Sequence, residues 1–152
     1  MKHITIVAPD AGGGRRAEAV ANDLGAPIAF GYKRRPDEQS VDVIAVSGDV
    51  KGRDCVVIED IITTGSTVSK LAAALRQQGA NRVLIVATHP VLSGDAMDRL
   101  KKADVEELIV TDTIPIPADK LGSSLKVLSV APLLAEAIIR VHENRSVSEL
   151  FR

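Results

Sequence analysis

The chain predicts an α/β fold, a mostly parallel central sheet flanked by helices. Short apolar runs rich in Val and Ile alternate with stretches whose apolar residues recur at helical spacing. Several runs end in turns of glycine, small hydroxyl residues and acids, as parallel strands do at their carboxyl ends. The 152 residues, 45% hydrophobic and 26% charged, suffice for one core and are too few for two comfortable ones. One domain over 1–152 is expected.

Each element follows from local pattern. His3 to Ala8 reads as a first strand, and Arg15 to Leu24 as a helix closed by Gly25. Pro27 to Tyr32 is a short strand leading into a charged segment, Lys33 to Gln39. Val41 to Val46 reads as a strand before a turn at Ser47 to Lys51, and Cys55 to Ile58 as a central one. Val68, Leu71, Ala72 and Leu75 then stand at i, i+3, i+4 and i+7, one helix face. Gly79 sits where a left-handed C′ residue ends such a helix. Arg82 to Ala87 predicts a strand, Ala96 to Ala103 a helix, Leu108 to Val110 and Lys126 to Ser129 two more strands. A last helix begins near Pro132 with Leu134, Ala137, Ile138 and Val141 expected on a buried face. The tail from Ser146 to Phe151 has room for one more helical turn.

Composition narrows the function classes. A net charge of −1 without a long basic run disfavours nucleic acid and anionic membrane as partners. Aromatic content of 2% with no Trp disfavours a base-stacking platform. Cys55, the lone cysteine, reads as a small buried hydrophobe and excludes a disulfide framework. No signal peptide or membrane-length apolar run is legible, so the cytoplasm is the expected compartment.

The most informative stretch runs from Val56 through Glu59, Asp60, Ile61, Ile62, Thr63, Thr64, Gly65, Ser66 and Thr67. A strand placed here delivers Glu59 and Asp60 at its carboxyl end, where open α/β sheets hold ligands. Two adjacent carboxylates can accept hydrogen bonds from the cis-diol of a ribose. Thr63 to Thr67 then offer hydroxyls and backbone N–H groups at a helix N-terminus, a cradle for an anion. A diol clamp beside a phosphate cradle describes a ribose 5-phosphate site. The stretch resembles the signature of the type I phosphoribosyltransferase fold.

Two other segments carry chemistry. Asp10, Ala11, Gly12, Gly13 and Gly14 follow the first strand and open a helix, so backbone can approach an anion closely. Asp10 could hold a hard cation such as Mg²⁺ there. Lys33, Arg34 and Arg35 form a cationic cluster, either a solvated loop or a flap closing over a polyphosphate. Spacing alone does not choose.

The ordered motifs PDAGG, KRRP, GDVKGRDCVVIEDIITTGST, ATHPVLSG, VTDTIP and SVSELF resemble the second half of the ribose-phosphate pyrophosphokinase family. The resemblance implies transfer of diphosphate from ATP to C1 of ribose 5-phosphate, with Mg²⁺ as cofactor and ATP as co-substrate. It implies that Lys33 and Arg35 lie on a catalytic flexible loop, and Asp10, Ala11, Gly12 and Gly13 on a diphosphate- and metal-binding loop. Glu59, Asp60 and residues 63–67 fall on the ribose 5-phosphate loop. Ser146, Ser148 and Phe151 match a tail that joins a regulatory site in some members. His89 reads as ordering a turn, and His3 and His142 have no functional case.

The sequence departs from that family in three respects. Glu59 and Thr63 stand where the family usually has Asp, which lengthens one arm and removes one carboxylate. The family enzyme also carries a first domain of the same fold, so a homo-oligomer or a first-domain partner chain is expected. A stand-alone nucleobase phosphoribosyltransferase and a non-catalytic ribose-phosphate-binding subunit are the alternatives.

Overall fold

A computed structural model describes residues 3–34 and 43–151. Seven strands form one sheet: β1 (Ile4–Ala8), β2 (Ile28–Arg34), β3 (Val43–Ser47), β4 (Asp54–Ile62), β5 (Arg82–Pro90), β6 (Glu107–Thr111) and β7 (Leu125–Leu128). Their order is β3-β2-β1-β4-β5-β6-β7, parallel throughout except for the β2–β3 pair. The helices are α1 (Gly14–Leu24), α2 (Ser66–Gln77), α3 (Ala96–Lys102) and α4 (Ala131–His142). The expected α/β architecture is the observed one.

The two sheet faces are covered by different helices. On one, Ala17 and Ala21 of α1 pack with Ile6, Ala8 and Ile58. Alanine at those positions lets the helix lie close to the strands. On the other, Val68, Leu71, Ala72 and Leu75 of α2 are buried with Val7, Val57 and Ile85, and Leu100 of α3 joins the same cluster. The helical spacing read from the sequence is therefore the buried stripe of α2. Gly25 and Gly79, at φ 59° and 86°, end α1 and α2 in the left-handed conformation expected of them. Thr5 is the buried polar residue of the core, and its hydroxyl is satisfied: it donates to Asp49 O at 2.8 Å and accepts from Arg53 Nε at 2.6 Å.

Four expectations need correction. Strand β4 does not stop at Ile58, because Ile61 and Ile62 still pair with His89 and Pro90 of β5. Glu59 and Asp60 thus sit within its second half rather than beyond it. Strand β5 is longer for the same reason. The backbone of Lys33 and Arg34 belongs to β2, paired with Ile44 and Val43, so the charged segment starts on a strand; Arg35 lies outside the described residues. Finally, no residue of α4 is buried. Leu134, Ile138 and Val141 are 56%, 69% and 66% exposed, and Ala137 is half-buried. The apolar stripe exists, but no described element of the chain packs onto it. The tail does form a single turn of 3-10 helix, Ser148–Phe151.

Candidate functional site

Strand β1 leads through α1 to β2 on one side of the sheet, whereas its neighbour β4 leads through α2 to β5 on the other. The chain therefore diverges between β1 and β4, and a crevice opens at their carboxyl ends. Open α/β sheets bind ligands at such a point. Both segments singled out as anion cradles, residues 9–14 and 63–67, lie here.

The β4–α2 loop is shaped for an anion. Gly65 precedes the first helical residue at φ 70°, a conformation that L side chains rarely adopt. The N-cap Gly65 has no side chain to cap α2; the Ser66 N–H reaches Thr64 Oγ1 only at a long 3.5 Å, and the amides that follow are left to other partners. A polar cleft of about 70 Å³ is lined by Glu59, Ile61, Ile62 and residues 63–68. The turn after β5 holds this loop from behind. Leu92 donates its N–H to Ile62 O at 3.0 Å, and Ser93 to Thr63 O at 2.9 Å. Leu92 is fully buried yet has φ 48°, a strained geometry for a bulky side chain. Its carbonyl accepts from the Lys120 ammonium.

The Pro9–Gly14 turn is built around Asp10, whose Oδ1 accepts the Gly13 N–H at 2.9 Å. A Cβ on Gly12 would stand 3.3 Å from that oxygen, and one on Gly13 would stand 3.1 Å from Pro9 Cδ. The glycines thus keep the turn tight around the carboxylate. Among the described residues no three acid, His or Cys side chains gather as a metal cage. One carboxylate, whose other oxygen has no partner among the described residues, is nevertheless the kind of group that suits Mg²⁺, which is usually held by one or two carboxylates together with substrate phosphates.

Electrostatics separate the two acids. Glu59 is mostly buried, and burial pushes its carboxyl up to about 7, with the Asp60 and Asp10 charges adding to the rise. Asp60 is held below the usual carboxylate range by its interaction with the Glu59 carboxyl, by the Ile61 N–H and by Arg16. The Ile61 N–H reaches Asp60 Oδ1 at 2.7 Å, and the Asp60 N–H reaches Glu59 Oε1 at 3.0 Å. Arg16, in the first turn of α1, places Nη2 at 2.7 Å from Asp60 Oδ2 and Nη1 at 3.8 Å from Glu59 Oε1. The sequence reading gave Arg16 no role. Its one sequence signal is a cation near the positive end of a helix dipole, a placement that ordinarily costs stability.

The remaining motif residues tie elements together. His89 Nδ1 lies 2.9 Å from Thr113 Oγ1, and the Thr111 and Thr113 hydroxyls donate to Thr88 O at 2.6 and 2.9 Å. These bonds order the ends of β5 and β6, as expected of His89. Asp112 Oδ1 accepts the Val130 N–H at the start of α4, and the Ser129 hydroxyl keeps its carboxyl below the usual range. In the tail, Ser146 and Ser148 hydroxyls are 2.8 Å apart, and Arg140 of α4 donates to Ser146 O and Glu149. Phe151 is exposed.

The chain is similar to known proteins over nearly its whole length. A ribose-phosphate pyrophosphokinase of Listeria ivanovii is 49% identical over 148 residues, 97% of this chain and 46% of that protein. The crystal structure of phosphoribosylpyrophosphate synthetase from Mycobacterium smegmatis superposes with a TM-score of 0.85 at 45% identity, over 93% of this chain and 46% of that one. Orotate phosphoribosyltransferase from Aeropyrum pernix shares the fold, with a TM-score of 0.59 at 21% identity over 90% of this chain and 66% of that one. The chain thus spans about half the length of the ribose-phosphate pyrophosphokinases it matches. No helix among the described residues is long and apolar enough to cross a membrane. Residues 15–152 match the model of the phosphoribosyl synthetase-associated domain, and the chain belongs to that family.

Proposed function

We propose that this chain supplies the ribose 5-phosphate half of a ribose-phosphate diphosphokinase site. The observation that carries the reading is the uncapped start of α2 beside Glu59 and Asp60 at one end of the β1/β4 crevice. The 5-phosphate sits on residues 63–67, where amide donors and hydroxyls meet the positive end of a helix. Glu59 and Asp60 accept from the ribose hydroxyls, with Glu59 replacing a shorter acid. Lost with Asp at position 63 is only a side-chain contact, because the backbone does most of the phosphate binding.

In the proposed reaction the C1 hydroxyl of ribose 5-phosphate attacks the β-phosphorus of ATP. The bond from that phosphorus to the oxygen bridging the α-phosphate breaks, leaving AMP and phosphoribosyl pyrophosphate. The proton of the C1 hydroxyl is released to solvent. Asp10 would hold Mg²⁺, which when bound neutralises charge on the diphosphoryl oxygens, and the amides of Ala11 and Gly12 would donate to those oxygens, the Gly13 amide being already given to Asp10 Oδ1. Lys33 and Arg35 stabilise the group in flight by electrostatics rather than covalent chemistry.

Relatives twice as long as this chain supply the reason to place the rest of the ATP surface elsewhere. We assign it to a first domain of the same fold, or to a second copy, which would also cover the apolar side of α4. Calorimetry on the chain tests the ribose reading. Ribose 5-phosphate should bind more tightly than inorganic phosphate, and crystals grown in sulfate should show an ion at residues 63–67. Absence of both would reject the assignment.

A further inference from the structure

Arg16 spans the crevice from the α1 side. It reaches Asp60 across 44 positions of sequence, making a bond of 2.7 Å with the outermost acid of β4. Its position works against α1 by itself: two arginines open a helix whose first turn holds no acid, and a cation at that end meets the positive pole of the helix. The ion pair with Asp60 offsets this local penalty, and the pair is only partly exposed on the arginine side. Apart from the contact between the two carboxyls themselves, the other polar contacts of the acid pair among the described residues are to its own strand backbone, through the Asp60 and Ile61 amides. Arg16 is therefore the described side chain from another element that orients these carboxylates.

Building on the ribose assignment, we propose that Arg16 is a positioning residue of the ribose site. Its guanidinium holds the Asp60 carboxylate as an oriented acceptor and thereby sets the affinity for the diol. Asp60 Oδ1 is anchored by the Ile61 amide and Oδ2 by Arg16, so the carboxylate plane is fixed from both ends. A carboxylate oxygen accepts more than one hydrogen bond, which leaves each oxygen able to receive a hydroxyl. Two acids side by side repel one another when both are ionised. The guanidinium offsets one of those charges without blocking the cleft, which is lined by residues of β4 and α2. Because Arg16 lies two residues past the Pro9–Gly14 turn, the same contact links the diphosphate cradle to the diol clamp.

The test compares three ligands by calorimetry on the full chain: ribose 5-phosphate, 2-deoxyribose 5-phosphate and inorganic phosphate. Arg16→Gln is expected to weaken ribose 5-phosphate about tenfold, the scale of one charge-assisted hydrogen bond. The other two ligands should shift by less than about twofold, since neither presents the diol to the oriented acid. Arg16→Lys, which keeps the charge but not the planar fork, should recover part of the loss. In an Asp60→Asn background, Arg16→Gln should add nothing, because the partner is already gone. A merely structural arginine would weaken all three ligands together and lower the melting temperature, an outcome that overturns the proposal. Unchanged or tighter ribose 5-phosphate binding in Arg16→Gln, or additive losses in the double variant, overturns it as well. If the wild-type chain holds ribose 5-phosphate no better than phosphate, the ribose assignment itself falls and takes this proposal with it. Should Arg16→Gln fail to fold, Arg16→Lys alone decides, a selective loss for the diol ligand supporting the role and an unchanged profile overturning it.

Discussion

Ser93 donates its backbone N–H to the carbonyl of Thr63 at 2.9 Å, so the rim of the anion cradle hangs on a turn thirty residues further along the chain. The same turn carries Leu92, whose left-handed backbone is tolerated because its side chain is fully enclosed. The cradle is thus rigid by construction, and its chemistry should be sensitive to backbone changes that spare every donor.

Gly65 is the clearest place to see this. Substituting Ala would force a Cβ into a φ of 70°, which costs an L residue about 1–2 kcal/mol. We expect Gly65→Ala to lower stability by that amount in urea titrations and to weaken phosphate binding by more than the stability loss explains, because the loop relaxes away from its bound shape.

The two faces of the sheet give a second prediction. Leu71 is fully buried beneath β2 and β4, and its Cδ1 lies only 2.9 Å from where a Cβ on Gly31 would stand. Packing that close leaves no slack for collapse. Leu71→Ala should cost about 2–5 kcal/mol, read as a lowered urea midpoint with an unchanged slope.

Glu59 makes stability depend on pH. Its folded carboxyl titrates near 7 rather than at its ordinary value of 4.5, so the folded state binds the proton more tightly than the unfolded chain does. That contribution is complete below 4.5 and disappears as pH rises through 7. Unfolding free energy should therefore fall as pH rises from 4.5 to 7, by about 1–2 kcal/mol once solvent screening of a part-exposed group is allowed for, and Glu59→Gln should flatten the profile. The lowered carboxyls of Asp60 and Asp112 act in the opposite direction and only in more acidic solution.

Burial pushes the Cys55 thiol up to about 11. A thiol reagent at pH 8 should leave it unmodified in the folded chain and label it fully in denaturant. Fast labelling of the native protein would mean that β4 opens locally.

Much of this was legible from residue order. The stripe from Val68 to Leu75 announced α2 because helix periodicity needs no knowledge of partners, and the glycine stops at 25 and 79 follow from backbone sterics alone. The length of β4 was not legible: acids at 59 and 60 look like a strand end, and only the ladder to His89 and Pro90 of β5 extends it. The role of Arg16 was not legible, because contact across 44 residues is set by how α1 lies on the sheet. The misread face of α4 has a plainer cause. Periodicity reveals that Leu134, Ile138 and Val141 align, but burial is a property of whatever lies opposite, and no described element does.

The parallel pairing of β1 with β4 runs from Ile4 against Asp54 to Val7 against Val57. Since neighbouring strands stand a fixed ~4.8 Å apart, this pairing works as a gauge. It sets the span between the turn after Ala8 and the acids of β4 without any side chain measuring it. Residues in either turn can therefore change while the span persists, whereas a slip of one position along Ile4–Val7 would change the gauge and turn every side chain of β1 to the opposite face. A ligand that bridges both cradles would be selected by its length first and by its functional groups second.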